Sequence, residues 1–319
     1  MSSLAAITGG AGFIGSHLTE GFVRNGYAVR TIDNLTTGSV ANLAPTRSEV
    51  DFRTIDIRDV EGLTAAFRGV SVVLHHAGIA SVPRSFEDLI YTHEVNVTGT
   101  LNVLTAALHA GVRKVIFASS SSVYGNNGAT LQTEGAIPSP LSPYGLSKWM
   151  GELYAAQFAR STSLETVSLR YFNVFGPRQN LDSQYAAVIP LFIRKLAEGS
   201  RPVIFGDGTQ TRDFTYIENI VEANLRAAQV SLPSATILNI ATGTQISLNE
   251  LVSLLNGIFG SQIEPIYEAE RQGDIKHSQA NTSFSKDLLG DYTVAKLREG
   301  LVKTARWFLE ISGRIQKCE

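Results

Sequence analysis

The chain has 319 residues, of which 44% are hydrophobic and 18% charged, and its formal net charge is -2. That length buries a large core without staples, the composition excludes a disordered chain, and the charge excludes a basic field for nucleic acid. Cys318 is the single cysteine, which excludes an internal disulfide framework and a cysteine-built metal site and fits a reducing compartment.

Met1 to Thr8 carries no basic leader and its apolar run stops at Gly9, so no signal peptide is expected. No run approaches the ~18 apolar residues needed to cross a bilayer. A cytoplasmic protein with neither membrane nor nucleic acid among its partners is expected.

Short apolar runs alternate with amphipathic stretches through the first two thirds, the pattern of a parallel sheet built from strand–helix–strand units. Ala5–Thr8 reads as a buried strand, Ile14–Asn25 as a helix, Ala28–Asp33 as a second strand and Asp51–Asp56 as a third. Val70–His75 is the fourth strand, and the histidines that end it, His75 and His76, read as structural. Val97–Ala110 follows as a helix whose Leu101, Val103, Leu104, Ala107 and Leu108 make a broad apolar stripe. Val115–Ser119 is the fifth strand, Ser142–Ala159 a long helix and Glu165–Arg170 the sixth strand. From about Asn173 the rhythm breaks at Gly176-Pro177, Gly206-Asp207-Gly208, Leu232-Pro233 and Glu264-Pro265, which predicts a smaller mixed lobe without a core of its own.

Between the first strand and the first helix lies Thr8-Gly9-Gly10-Ala11-Gly12-Phe13-Ile14-Gly15. Its glycines serve a tight turn, close approach to a pyrophosphate and close helix–strand packing. The helix N-terminus that follows offers free N–H groups to phosphates. Asp33, ending the second strand, is placed to accept hydrogen bonds from an adenosine ribose. Its charge repels a 2′-phosphate, and neither Asn34 nor Leu35 is an arginine that would reverse the preference, so NAD is expected over NADP. Asp56 and Ile57 follow the third strand, where the adenine would lie. The fold expected is α/β: a Rossmann-like doubly wound parallel sheet over residues 1–172, which some later segments rejoin, and a smaller mixed α/β substrate-binding lobe over 173–319.

Ser142-Pro143-Tyr144-Gly145-Leu146-Ser147-Lys148 opens the long helix. Ser142 suits the N-cap and Pro143 the first turn. Tyr144 and Lys148, four apart, then share one helical face. A phenol with a pKa of about 10 is a poor base at neutral pH. A lysine ammonium and a positive nicotinamide ring are expected to lower that value, and Lys148 can also hold the nicotinamide ribose. Ser119-Ser120-Ser121-Ser122 lies outside the carboxyl end of the fifth strand, where ligands of open α/β sheets bind. A hydroxyl from this run can relay a substrate proton. No His/Cys/Asp cluster has metal-ligand spacing.

The segments TGGAGFIG, Asp33, SSSSVYG, YGLSK and RYFNVFGPR, in this order, resemble the extended short-chain dehydrogenase/reductase superfamily, and more narrowly its nucleotide-sugar 4-epimerases. The resemblance runs from about Ala5 to Trp307. It implies that Tyr144 is the base, Lys148 its partner and Ser120 the substrate-binding hydroxyl, with Ser121 and Ser122 beside it. It implies a tightly bound, unconsumed NAD held by Gly9, Gly12, Phe13, Ile14, Gly15, Asp33, Asn34, Asp56, Ile57, Ala77, Gly78, Asn96, Tyr144, Lys148 and Tyr171. For a UDP-sugar it implies Asn173, Arg212 and Arg271 at the diphosphate, Asp274 at the uridine ribose, and Val188, Val203 and Phe205 in the same pocket. Two guanidiniums suit a diphosphate by charge and by fork geometry.

Departures narrow the resemblance. Related 4,6-dehydratases carry an Asp-Glu pair where Ser121 and Ser122 stand, and related decarboxylases carry Glu at the position of Ser122. Uronate 4-epimerases tend to have Thr at the position of Asn173. Some galactose epimerases have lysine where this chain has Ala80, whereas Ser81 to Ser85 and Tyr185 to Pro190 resemble the N-acetyl-hexosamine branch. Ser278 matches a wall position that is bulky in strict UDP-glucose enzymes, and a serine leaves room for a 2-acetamido group. The resemblance thus implies an isomerase, a UDP-hexose 4-epimerase acting on UDP-glucose/UDP-galactose and on the UDP-N-acetylglucosamine pair through a 4-keto sugar. It also implies a homodimer joined through the helices from Val97 and Ser142. The rival readings are a UDP-glucuronate 4-epimerase, another NDP-sugar oxidoreductase, and a non-catalytic NAD-binding regulator.

Overall fold

A computed structural model describes residues 3–179, 187–270 and 276–313. Its central sheet has seven strands, all parallel, in the spatial order Thr236–Ile240, Glu165–Tyr171, Lys114–Ser120, Val72–His75, Leu4–Thr8, Ala28–Ile32, Val50–Arg53. The strand order reverses between Leu4–Thr8 and Val72–His75. Ligands of such sheets bind outside the carboxyl ends at this reversal.

Alternate residues along each strand feed opposite faces, so both faces are apolar and covered by helices. Ile7, Leu74, Ile116, Leu169 and Leu238 pack on the face that carries Leu18, Phe22, Ile217 and Ile220. Ala6, Val73 and Val115 pack on the other, with Leu63, Phe67, Val103 and Leu104. Much of the expected stripe on the helix from Val97 therefore points inward, with Val103, Leu104 and Ala107 buried.

The expected elements are present with shifted ends. The third strand, Val50–Arg53, stops before the expected Asp56, and Asp59 caps the next helix, Val60–Ala66. The helix expected from Val97 begins earlier, as Leu89–His93, passes through a π-turn at Glu94–Thr98 and continues as Gly99–His109. A short helix, Val82–Glu87, was not anticipated.

Exchange between the two parts of the chain runs both ways. Helix Ile217–Gln229 and strand Thr236–Ile240 return to the central sheet. Conversely, Leu131–Gln132 leaves the first part and joins the smaller sheet, ordered Ile246–Ser247, Thr211–Arg212, His277–Ala280, Leu131–Gln132. The lobe's Ile189, Phe192, Leu251 and Leu255 belong to the same apolar cluster as the central strands, in keeping with a lobe that lacks a separate core.

Candidate active site

The glycine loop is shaped by the protein at Gly9, Gly10 and Gly15, a Cβ on Gly10 lying 2.3 Å from Thr31 Cγ2, and is left open at Gly12. Gly9 has φ +69°, and a Cβ there would lie 2.6 Å from Ala77 N. A Cβ on Gly15 would lie 2.1 Å from Gly9 O. These two glycines bring the loop against its own helix and against the Ala77-Gly78 segment across the strand reversal. Gly12 is different: a Cβ would meet only Gly9 O, at 3.1 Å. Gly12 is also the N-cap of Phe13–Arg24, a helix with no side-chain cap and no acid in its first turn. Its leading N–H groups and positive dipole end fit a pyrophosphate.

Asp33 is buried and accepts Ala11 N at 3.0 Å and Leu35 N at 2.7 Å. Burial pushes its carboxyl up and the two backbone donors oppose that, so ribose hydroxyls would supply the donors it still lacks. Asn34 donates to Asp56 at 2.8 Å, and Arg58 pairs with Asp56 and holds that carboxyl well below the usual range. Ile57 turns its side chain into the core beneath Gly99. Asp56 is thus engaged by Asn34 and Arg58, and the Ile57 side chain by the core.

At the other end, Asn96 lies in the π-turn, an irregularity common at functional sites. It accepts Ile79 N at 2.7 Å and donates to Ile79 O at 3.0 Å and Ser147 Oγ at 3.0 Å. Asn96 therefore braces the Ala77-Gly78-Ile79 segment against the long helix. Tyr171 likewise turns inward: its hydroxyl meets His76 Nε2 and Asn224 Nδ2, both at 2.8 Å, leaving its backbone for a cofactor. His75 sits between Thr8 Oγ1 at 2.8 Å and Thr100 Oγ1 at 3.0 Å, a structural position as expected.

The long helix, Pro143–Ser161, starts as expected: Ser142 Oγ accepts Gly145 N at 3.1 Å and Pro143 stands in the first turn. A further support comes from Ser85, fully buried, whose Oγ accepts Tyr144 N at 3.1 Å. Lys148 is buried, donates to Ala118 O at 2.9 Å, and sits 5.1 Å above the Phe117 ring and 6.0 Å from the Tyr144 ring. Gly151 lets Phe117 reach the helix, since a Cβ there would lie 2.4 Å from the ring. Burial lowers the ammonium pKa to about 8.

For Tyr144 the direction expected from the sequence is reversed within the protein alone. Burial raises the phenol, and a hydrogen bond with Ser120 acts the other way. Desolvation of a buried phenolate outweighs that one partner.

Ser119 and Ser120 divide by strand alternation, and Ser121 and Ser122 lie in the short turn that follows. Ser119 points toward the long helix and donates to Glu152 Oε1 at 2.5 Å. Ser120 points the other way, caps the short turn Ser121–Val123 by accepting Ser122 N at 3.1 Å, and meets Tyr144. Ser122 Oγ accepts from Ser120 at 3.1 Å.

Beyond the serines lies a cavity of about 300 Å³, at the small end of ligand sites. Asn173, Val188, Val203, Phe205 and Arg212 line it, as do Phe175, Phe192, Phe214 and Leu248, whose spacing in the chain gave no signal. Ser278 is the neighbour of Arg212 across parallel strands, so the two side chains lie on one face. Asp213, fully buried, accepts Thr242 Oγ1 at 2.7 Å and Gly243 N at 2.9 Å and ties the backbone beside Arg212 to that segment. Arg271 and Asp274 lie outside the described residues, as do Tyr185 and Cys318. No cluster of three or more His, Cys, Asp or Glu fit for a metal occurs among the described residues.

The model of the family described as "NAD dependent epimerase/dehydratase family" matches residues 5–241. The chain belongs to this family. NAD is its cofactor, and the site fits it: an open Gly12, an uncapped helix end and an Asp33 short of donors. The chain is 38% identical over 303 residues to a putative UDP-glucose 4-epimerase of Methanocaldococcus jannaschii, covering 94% of this chain and 97% of that one. It superposes with TM-score 0.91 and 37% identity on a UDP-N-acetylglucosamine 4-epimerase from Methanobrevibacter ruminantium M1 in complex with UDP-N-acetylmuramic acid, covering 98% of this chain and 100% of that one. The UDP-glucose 4-epimerase of Thermotoga maritima, solved with UDP-glucose, also gives TM-score 0.91, at 36% identity over 97% and 99% of the two chains.

Proposed function

We propose that the protein is an NAD-dependent 4-epimerase of UDP-hexoses that interconverts UDP-glucose and UDP-galactose and also takes the UDP-N-acetylglucosamine pair through a transient 4-keto sugar. The observation that carries this reading is the meeting of Tyr144 with Ser120, beside buried Lys148 and the strand reversal. NAD, held at the glycine loop and Asp33, would supply the hydride acceptor and donor that C4 of the sugar needs. Tyr144 Oη accepts the C4 hydroxyl proton, Ser120 relays it, and Lys148 holds the nicotinamide ribose. Asn173 and Arg212, with Arg271, anchor the diphosphate while the sugar turns.

Ser278 is in register with Arg212, a residue of the cavity lining, and so small a side chain supports the N-acetylated substrates. A homodimer is part of the reading. Exposed Leu146, Leu153 and Tyr154 on the long helix, with Leu89 and Ile90 on a neighbouring helix, support it, whereas much of the stripe from Val97 faces the core. No helix among the described residues is long and apolar enough to cross a membrane, and we place the protein in the cytoplasm.

Turnover of UDP-glucose, UDP-N-acetylglucosamine and UDP-glucuronate without added NAD tests the proposal. Epimerisation of the first two is expected. Turnover of the uronate alone, or a stoichiometric need for NAD, overturns it.

A further inference from the structure

We propose that Arg178 is a clasp that keeps NAD resident by fastening the segment after the second strand over the adenosine site. Arg178 has φ +65°, a left-handed backbone that a side chain other than glycine adopts at a cost. That conformation aims its guanidinium at three partners on two elements, helix Phe13–Arg24 and the segment Val40–Thr46. NH1 donates to Asn42 O at 3.0 Å, and NH2 donates to Glu20 and, at 3.2 Å, to His17 Nδ1. Burial, followed by the Arg178 charge, lowers His17 to about 4. The imidazole is therefore neutral and also donates from Nε2 to Pro177 O at 2.9 Å.

The far end of the clasp is the segment Val40–Thr46. Asn42 Nδ2 donates to Ala11 O at 2.9 Å, and Ser39 N donates to the same oxygen at 3.0 Å. Ala11 N in turn donates to Asp33. Gly38 passes so close that a Cβ would lie 2.9 Å from the Asp33 carboxylate. A ligand on Asp33 and the glycine loop can leave by this side only when the segment lifts, and Arg178 is what joins the segment to the Asn173–Pro177 strand end. A planar fork that serves three partners is not replaced by an ammonium.

The inference rests on NAD as the resident cofactor and is independent of the sugar. The test purifies wild-type, Arg178→Gly and Asn42→Ala holoprotein and measures NAD dissociation by chase with labelled NAD. Arg178→Gly removes the guanidinium while relieving the backbone, and Asn42→Ala cuts the other end of the clasp. Dissociation at least tenfold faster in both variants is expected. Dissociation in either variant within twofold of a slow wild type overturns the clasp. A wild type that itself releases NAD as fast as the variants overturns resident cofactor and clasp together.

Discussion

Arg170 and Glu152 form a two-pronged ion pair in which each side chain is only 2% exposed, Nε to Oε1 at 2.8 Å and NH2 to Oε2 at 2.7 Å. The pair joins the sixth strand to the long helix, and Ser119 adds a third contact to the same carboxylate. The turn that presents Ser120 to Tyr144 is thus built on a buried charge pair. Glu152→Ala leaves the guanidinium buried without its partner. A loss of about 3–5 kcal/mol in urea unfolding is expected, and the apolar double variant Glu152→Leu with Arg170→Met should recover most of it.

Acid should unfold the protein through its histidines. His17, His75 and His76 are all held below the ordinary imidazole value of about 6.5, His17 at about 4 and His76 at about 3, chiefly by burial. Below pH 6.5 the unfolded chain binds protons that the folded chain refuses, so stability falls as pH falls toward 4. Each histidine contributes up to about 1.4 kcal/mol per pH unit across its window. Urea midpoints measured from pH 7 to 4.5 check this, and His17→Gln should make the slope shallower.

Tyr144→Phe deletes the proton acceptor and leaves the glycine loop untouched. A fall in kcat of about 10²- to 10⁴-fold is expected, with bound NAD unchanged by absorbance of the released cofactor. Turnover at the wild-type rate would remove Tyr144 from the reaction.

Substrate size can be read at one position. Ser278→Tyr places a ring beside Arg212, where the two strands are in register. The expected outcome is a loss in kcat/KM for UDP-N-acetylglucosamine of at least about tenfold, with UDP-glucose changed far less. Equal losses for both sugars would mean that the position senses the nucleotide and not the 2-substituent.

What the sequence determined by itself is local. Glycine spacing at Gly9, Gly12 and Gly15, the acid at Asp33, and the four-residue step from Tyr144 to Lys148 follow from the rise and turn of neighbouring backbone, and their places in the structure agree. Tertiary structure decided which atoms are offered. Strand alternation sends Ser119 to Glu152 and Ser120 to Tyr144, and packing across the sheet turns Tyr171 and Ile57 inward. Within the protein alone the Tyr144 phenol is raised, because desolvation depends on everything folded around it. Arg178 meets His17 across 161 residues of chain, a contact set by topology, which no local pattern encodes.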